Sequence, residues 1–484
     1  MKPQRSLAAL VVTVGLVGLG LTARDAPAEV DPTFANLGKP TMPFVPSGSF
    51  ITSSWFCPGV PSGEDDLGGS VEITNPSDEP IDGHITIYSS DTEADVVVQP
   101  IEIAARSNLS VDIAAAQPTG AYVSALVEID GGGGFVEQIA RHPAGDAVAP
   151  CANAASSSWY FADGFTLGDS TEQLILSNPY PDAAVVTISF VTAAGPRSPS
   201  RLKGYPVPGQ SVQVVELGSG ARDEAVLAAE VQATRGRVVA ARAQNYTGGG
   251  RAGFSLTLGA PSLSSQYYFA DGEVGEGIDE RYAIFNPSEQ EVTVDAIFLG
   301  IDPAVQEQAA ADGFVNEAEI VVPAGRVVTL STSEVPGLPA GRHGASFATY
   351  ADDSIVVERA LTRPAGDGIA TTVVMGSPPG LASTRWSAAV GTDIALDNVL
   401  VVLNVDGVDT TVTVSALGPG GLVPVPGLEA LALPRAGLIT VPIEDPSALG
   451  RPLVIESGQR IYVERLLARD PDLRGRSGSF ALAG

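Results

Sequence analysis

The string Trp-Tyr-Phe-Ala-Asp-Gly at 159–164 returns as Tyr-Tyr-Phe-Ala-Asp-Gly at 267–272, with degraded copies at 55–59 and 386–391. Each copy is followed by a strand-like run that ends in Asn. Trp55 to Asn75, Trp159 to Asn178, Tyr267 to Asn286 and Trp386 to Asn404 span 20, 19, 19 and 18 residues. Pro follows the Asn at once in the first three copies, as Pro76, Pro179 and Pro287. An alternating run comes next, then a Pro/Gly turn, and then a third shared string: Glu137-Gln138, Ala241-Arg242, Glu358-Arg359 and Glu464-Arg465. Recurrence at this regularity means one folding unit used four times.

Within each unit, β-branched runs of four to eight residues alternate with Gly, Pro, Asn and Asp, the pattern of antiparallel strands joined by turns. The 54 Gly and 37 Pro suit a turn-dense chain. A unit of roughly 100 residues is too long for a propeller blade and fits a seven-stranded, two-sheet sandwich. The expected fold is therefore all-β: four tandem Ig-like antiparallel β-sandwich repeats, at 53–152, 153–262, 263–378 and 379–484. An Ala-, Gln- and acid-rich insertion at 301–319 lengthens the third and has the composition of a short helix.

Residues 1–28 read as a targeting segment. Lys2 and Arg5 precede an apolar run at 7–21, and Ala26-Pro27-Ala28 offers a cleavage site. The run is short for a bilayer span of about 20 residues, which favours a cleaved signal peptide over an uncleaved membrane anchor. Either reading exports the chain, with 29–52 as a linker. The expected location is the extracytoplasmic face of the membrane, the cell wall or the medium. The formal charge of −29 repels nucleic acid and anionic lipid, so the membrane is approached only through the N-terminal segment. In an exported chain the two cysteines, Cys57 and Cys151, read as a disulfide stapling the ends of the first unit.

The leading aromatics Trp55, Trp159, Tyr267 and Trp386 are expected as large plugs in aliphatic cores, since aromatics are only 6% of the chain. Asn75, Asn178, Asn286 and Asn404 are expected to hold a turn by bonding their own backbone. The Asp-Gly pairs 163–164 and 271–272 read as turns. Glu358-Arg359 and Glu464-Arg465 sit on a strand, where neighbours face opposite sides. One of each pair then points inward or at a neighbouring unit, as a structural ion pair rather than a catalytic acid.

No catalytic constellation is visible. His84, His142 and His343 occupy unrelated places, there is no G-x-S-x-G or H-E-x-x-H, and no cofactor or metal site is expected. Tyr180 and Tyr246 fall in turn-like contexts and are the candidate aromatic platforms for a glycan.

The string at 159–164, with Leu174–Pro179 and the run at 185–190, resembles a repeat common in exported bacterial and archaeal surface proteins. The Ser-Trp-Phe-Cys-Pro-Gly start at 54–59 and the whole layout resemble an uncharacterised actinobacterial family of secreted proteins. That resemblance implies an envelope location and carries no activity or functional residues. The expectation is a non-enzymatic scaffold of the cell envelope, whose partner is an envelope protein. The alternative is a module that binds cell-wall glycan and assists polysaccharide assembly.

Overall fold

The computed structural model describes residues 41–46, 52–63, 66–311, 316–352, 354–389, 397–468 and 476–484. The targeting segment and most of the 29–52 linker lie outside the described residues. No described helix is long and apolar enough to cross a membrane. Residues 41–484 form one compact unit.

The first sandwich shows the plan. Its strands are β1 (Thr52–Pro61), β2 (Gly68–Asn75), β3 (Ile81–Ser89), β4 (Val97–Ile103), β5 (Ser107–Asp112), β6 (Tyr122–Asp130), β7 (Phe135–Arg141) and β8 (Ala147–Pro150). They pair as β1-β6-β3-β4 in one sheet and β5-β2-β7-β8 in the other. Eight strands rather than the expected seven arise because a last hairpin strand is added beside β7. Trp55, Val71, Ile73, Ile85, Ile87 and Val127 fill the space between the two sheets, the alternate residues of strands with one buried face.

The same strand order recurs in the stretches 158–258 and 266–375, each with its own two sheets. In the last stretch Leu453–Ala468 runs unbroken through both layers, so the two sheets join into one of nine strands. The insertion at 301–319 holds a helix, Pro303–Ala311, with no buried residue, and the start of the strand Glu317–Val322.

Asn75, Asn178, Asn286 and Asn404 are all completely buried. In each, the side-chain amide donates to the carbonyl four residues on: Glu79, Asp182, Gln290 and Val408. Each also donates to the end of the fourth strand or the corner after it, through Ile103, Val207, Val322 and Pro434. The Oδ1 atom accepts from the N–H two residues ahead. One Asn thus shapes its own turn and also ties together two chain reversals about 30 residues apart in sequence. Bonding confined to its own turn was too small a role.

The four sandwiches close into a ring. Their eighth strands, β8, Arg251–Leu258, Gly368–Met375 and Arg476–Phe480, pack side by side around a common axis. Narrow cavities there are lined by Val148, Leu256, Val373 and Phe480. The short N-terminal stretch 41–46 lies at one end of this axis, where Val45 donates to the Ala483 carbonyl and Phe44 to the Asn153 side chain.

Candidate functional site: the joints between sandwiches

Each interface around the ring is built on the motif that opens the unit. In the second sandwich the first strand, Ser158–Gly164, slips register against its neighbour between Phe161 and Gly164. This bulge frees the backbone N–H groups of Ala162 and Asp163 from the ladder. Both donate to one oxygen of Glu358, from the seventh strand of the third sandwich, at 2.6 Å each. Arg242, on the seventh strand of the second sandwich, grips the same carboxylate with two bonds of 2.9 Å. Its guanidinium lies 5.6 Å from the centre of the Phe161 ring. A bulge and an arginine make a socket, and the neighbour's Glu fills it.

The third and fourth sandwiches repeat the arrangement. Ala270 and Asp271 donate to Glu464, and Arg359 pairs with it at 2.8 Å. Between the fourth and first, Ala389 donates to Glu137 and Arg465 pairs with it, both at 2.6 Å. Glu137, Glu358, Glu464, Arg242, Arg359 and Arg465 are all essentially excluded from solvent. Burying such charges is tolerated only where partners and hydrogen bonds are nearly complete. The forked guanidinium meets a carboxylate with two parallel bonds, which a lysine cannot do.

The fourth joint, between the first and second sandwiches, keeps the bulge but has lost the arginine, the glutamate and one of the two N–H donors together. Pro58 stands where Ala162 and Ala270 supply an N–H, and proline has none. Gln138 replaces the arginine, accepting instead from its own Gly59 N–H at 3.3 Å. Ala241 replaces the glutamate, and with Ile175 and Ala243 it packs into the first sandwich's core. A glutamate left here would be a buried charge without a counter-ion. The disulfide Cys57–Cys151 lies beside this joint, bridging β1 to the segment after β8 across a sequence separation of 94.

The motif aspartates correct the turn reading. Asp163 and Asp271 lie inside the bulges, completely or almost completely buried. Asp163 pairs with Arg251 at 2.7 Å, and Asp271 with Arg363 at 2.8 Å and with Arg342. Burial alone would raise the Asp271 carboxyl, but Arg363 and Arg359 outweigh it and hold it at about 2. The aspartates thus pair with arginines other than the one that grips the neighbour's glutamate, although Asp271 also lies 3.6 Å from Arg359.

Glu172 departs from this balance. It is wholly buried against Gly164, and no side-chain donor reaches either carboxylate oxygen. Burial pushes it up to about 8, with Arg242 pulling only partly against this. Its counterpart Glu280 instead accepts from the Tyr282 hydroxyl at 2.8 Å and lies 3.1 Å from His343.

Trp55, Trp159, Tyr267 and Trp386 are buried plugs. The indoles of Trp159 and Trp386 donate to the Val238 and Ile461 carbonyls. Of the two candidate platforms, Tyr180 is 41% exposed. Tyr246 is not a platform: it is 2% exposed, packed with Phe165, Ala360 and Val373 between the second and third sandwiches. Its turn-like sequence context concealed a strand that continues to Gly248. Among the described residues no group of three or more His, Cys, Asp or Glu is arranged to hold a metal ion.

Compared with known proteins, residues 138–252 match a family of unknown function, DUF5719. That match begins in the seventh strand of the first sandwich and ends in the eighth of the second. No curated protein matches the chain.

Proposed function

We propose that the protein is a non-enzymatic scaffold of the cell envelope, presented as a rigid ring of four sandwiches. The observation that supports this reading is where the recurring acids and arginines go. Glu137, Glu358 and Glu464 are spent on joints between units, with Arg242, Arg359 and Arg465 as their partners. The match to a family of unknown function and the all-β build accord with it.

Export is part of the same proposal. It draws on the basic-then-apolar start of the sequence and on the disulfide, which persists in oxidising compartments. A surface of net charge −29 would keep the ring off phosphate-rich polymers and favour a basic or neutral envelope partner.

The test is retention of residues 29–484 on purified envelope fractions, with membrane proteins and cell-wall polysaccharide assayed apart. Retention by a protein fraction supports the scaffold. Retention by polysaccharide alone, lost on Tyr180→Ala, replaces it with glycan binding.

A further inference from the structure

A pocket lies at the end of the ring axis where the N-terminal stretch crosses the second and third linkers. It has a volume of about 450 Å³, within the range of small-molecule sites. Its apolar lining comes from Met42, Phe44, Leu263 and Leu381, and its polar lining from Ser262, Ser264 and Ser383. Among the described residues no Lys, Arg, Asp or Glu side chain lines it, although 17% of the chain is charged. To an ion such a lining offers hydroxyl and backbone groups but no charged side-chain partner to offset its desolvation.

Two further observations select the shape and source of an occupant. Met42 also lines a second cavity of about 50 Å³ further along the axis, walled by Leu256, Val373, Met375 and Phe480. Met42, a flexible thioether, is thus the wall shared by the wide pocket and a narrower apolar space, and its displacement would join them into a shape that suits an extended chain better than a compact sugar. The rim includes Thr41, 20 residues beyond Leu21, where the apolar run ends. That length reaches at most about 65–70 Å, so in a chain that keeps its apolar run a bilayer holding that run would be within reach of Thr41.

We propose that this axial pocket binds the hydrocarbon chain of a lipid, one chain per molecule, with its tip directed past Met42 along the axis. The inference is independent of the scaffold reading. It requires only the pocket, not the envelope partner.

Gly380 supplies the test, because a side chain added there meets nothing within 4 Å and would project into open space at the pocket. Gly407, remote from the pocket and equally open, is the control. The full chain is titrated with hexadecanol and with a polyprenol, and bound molecules are counted by native mass spectrometry. Circular dichroism confirms that each variant is folded. The expected result is saturable binding of one chain by wild type and Gly407→Trp. Gly380→Trp and Leu381→Asp should each bind at least about tenfold more weakly. A preference between the two probes distinguishes an acyl from a prenyl source. Absence of saturable binding to both probes overturns the proposal. So does undiminished binding in Gly380→Trp, or binding of maltohexaose in place of either probe that Gly380→Trp abolishes.

Discussion

Arg465 and Glu137 stand 328 residues apart in sequence and 2.6 Å apart in the fold. They join the last sandwich to the first, in the same geometry by which the second meets the third and the third meets the fourth. A chain-end contact made with the internal joint is what turns a row of four units into a ring. Heterologous contacts of this kind either close or propagate without end, and here four steps close.

Removing one partner of this joint leaves the other buried and uncompensated. Arg465→Gln alone should destabilise the folded chain by about 3–5 kcal/mol. Adding Glu137→Ala should restore most of that loss, because Gln with Ala is the pair already present as Gln138 and Ala241. Urea unfolding of the two single variants and the double variant gives the coupling directly. Additive losses would show that the two side chains do not act as a pair.

Glu172 predicts an unusual response to pH. Burial holds its carboxyl at about 8 in the folded chain, well above the ordinary 4.5. The folded state therefore binds the proton more tightly, and the stability this contributes is fully present below about pH 4.5. It falls as pH rises towards 8 and is gone above it. Glu172→Gln, which resembles the protonated acid, should match wild type near pH 4.5 and exceed it by up to a few kcal/mol at pH 8 and above. Denaturation midpoints of both proteins across that interval check the sign. A constant difference would place the Glu172 carboxyl in contact with solvent.

Asn286 donates to Gln290, Val322 and Pro323 and accepts from the Ser288 N–H and hydroxyl. Asn286→Asp keeps the acceptor, discards the donor and sets a negative charge against three carbonyl oxygens. It should cost at least about 3 kcal/mol, more than Asn286→Ser, since unmet buried polar groups cost about 1–3 kcal/mol each. Thermal unfolding at pH 7 ranks the pair. Equal stability of Asp and Asn would contradict the double tether.

The sequence reveals the repeat and the layer architecture because both are written in local pattern: a fixed aromatic-to-Asn spacing and alternation within short runs. It also marks Glu358-Arg359 and Glu464-Arg465 as structural, since they recur at one strand position. Their partners are not legible, because each acid reaches a different unit and only the closed ring brings the two together. Asp163 and Asp271 mislead for a physical reason. Asp-Gly favours turns, yet here a bulge inside a strand uses the same backbone freedom. Tyr246 misleads similarly, as its neighbours Thr247 and Gly248 suggest a loop where the strand persists.

Small-angle X-ray scattering of residues 41–484 tests the ring most directly. A closed, compact arrangement predicts a radius of gyration of about 22 Å, with a single-peaked distance distribution. Four units of about 13 Å strung in line would instead give roughly 40 Å and a distribution with repeated shoulders. The first result is expected for wild type; the second would contradict closure through Glu137 and Arg465.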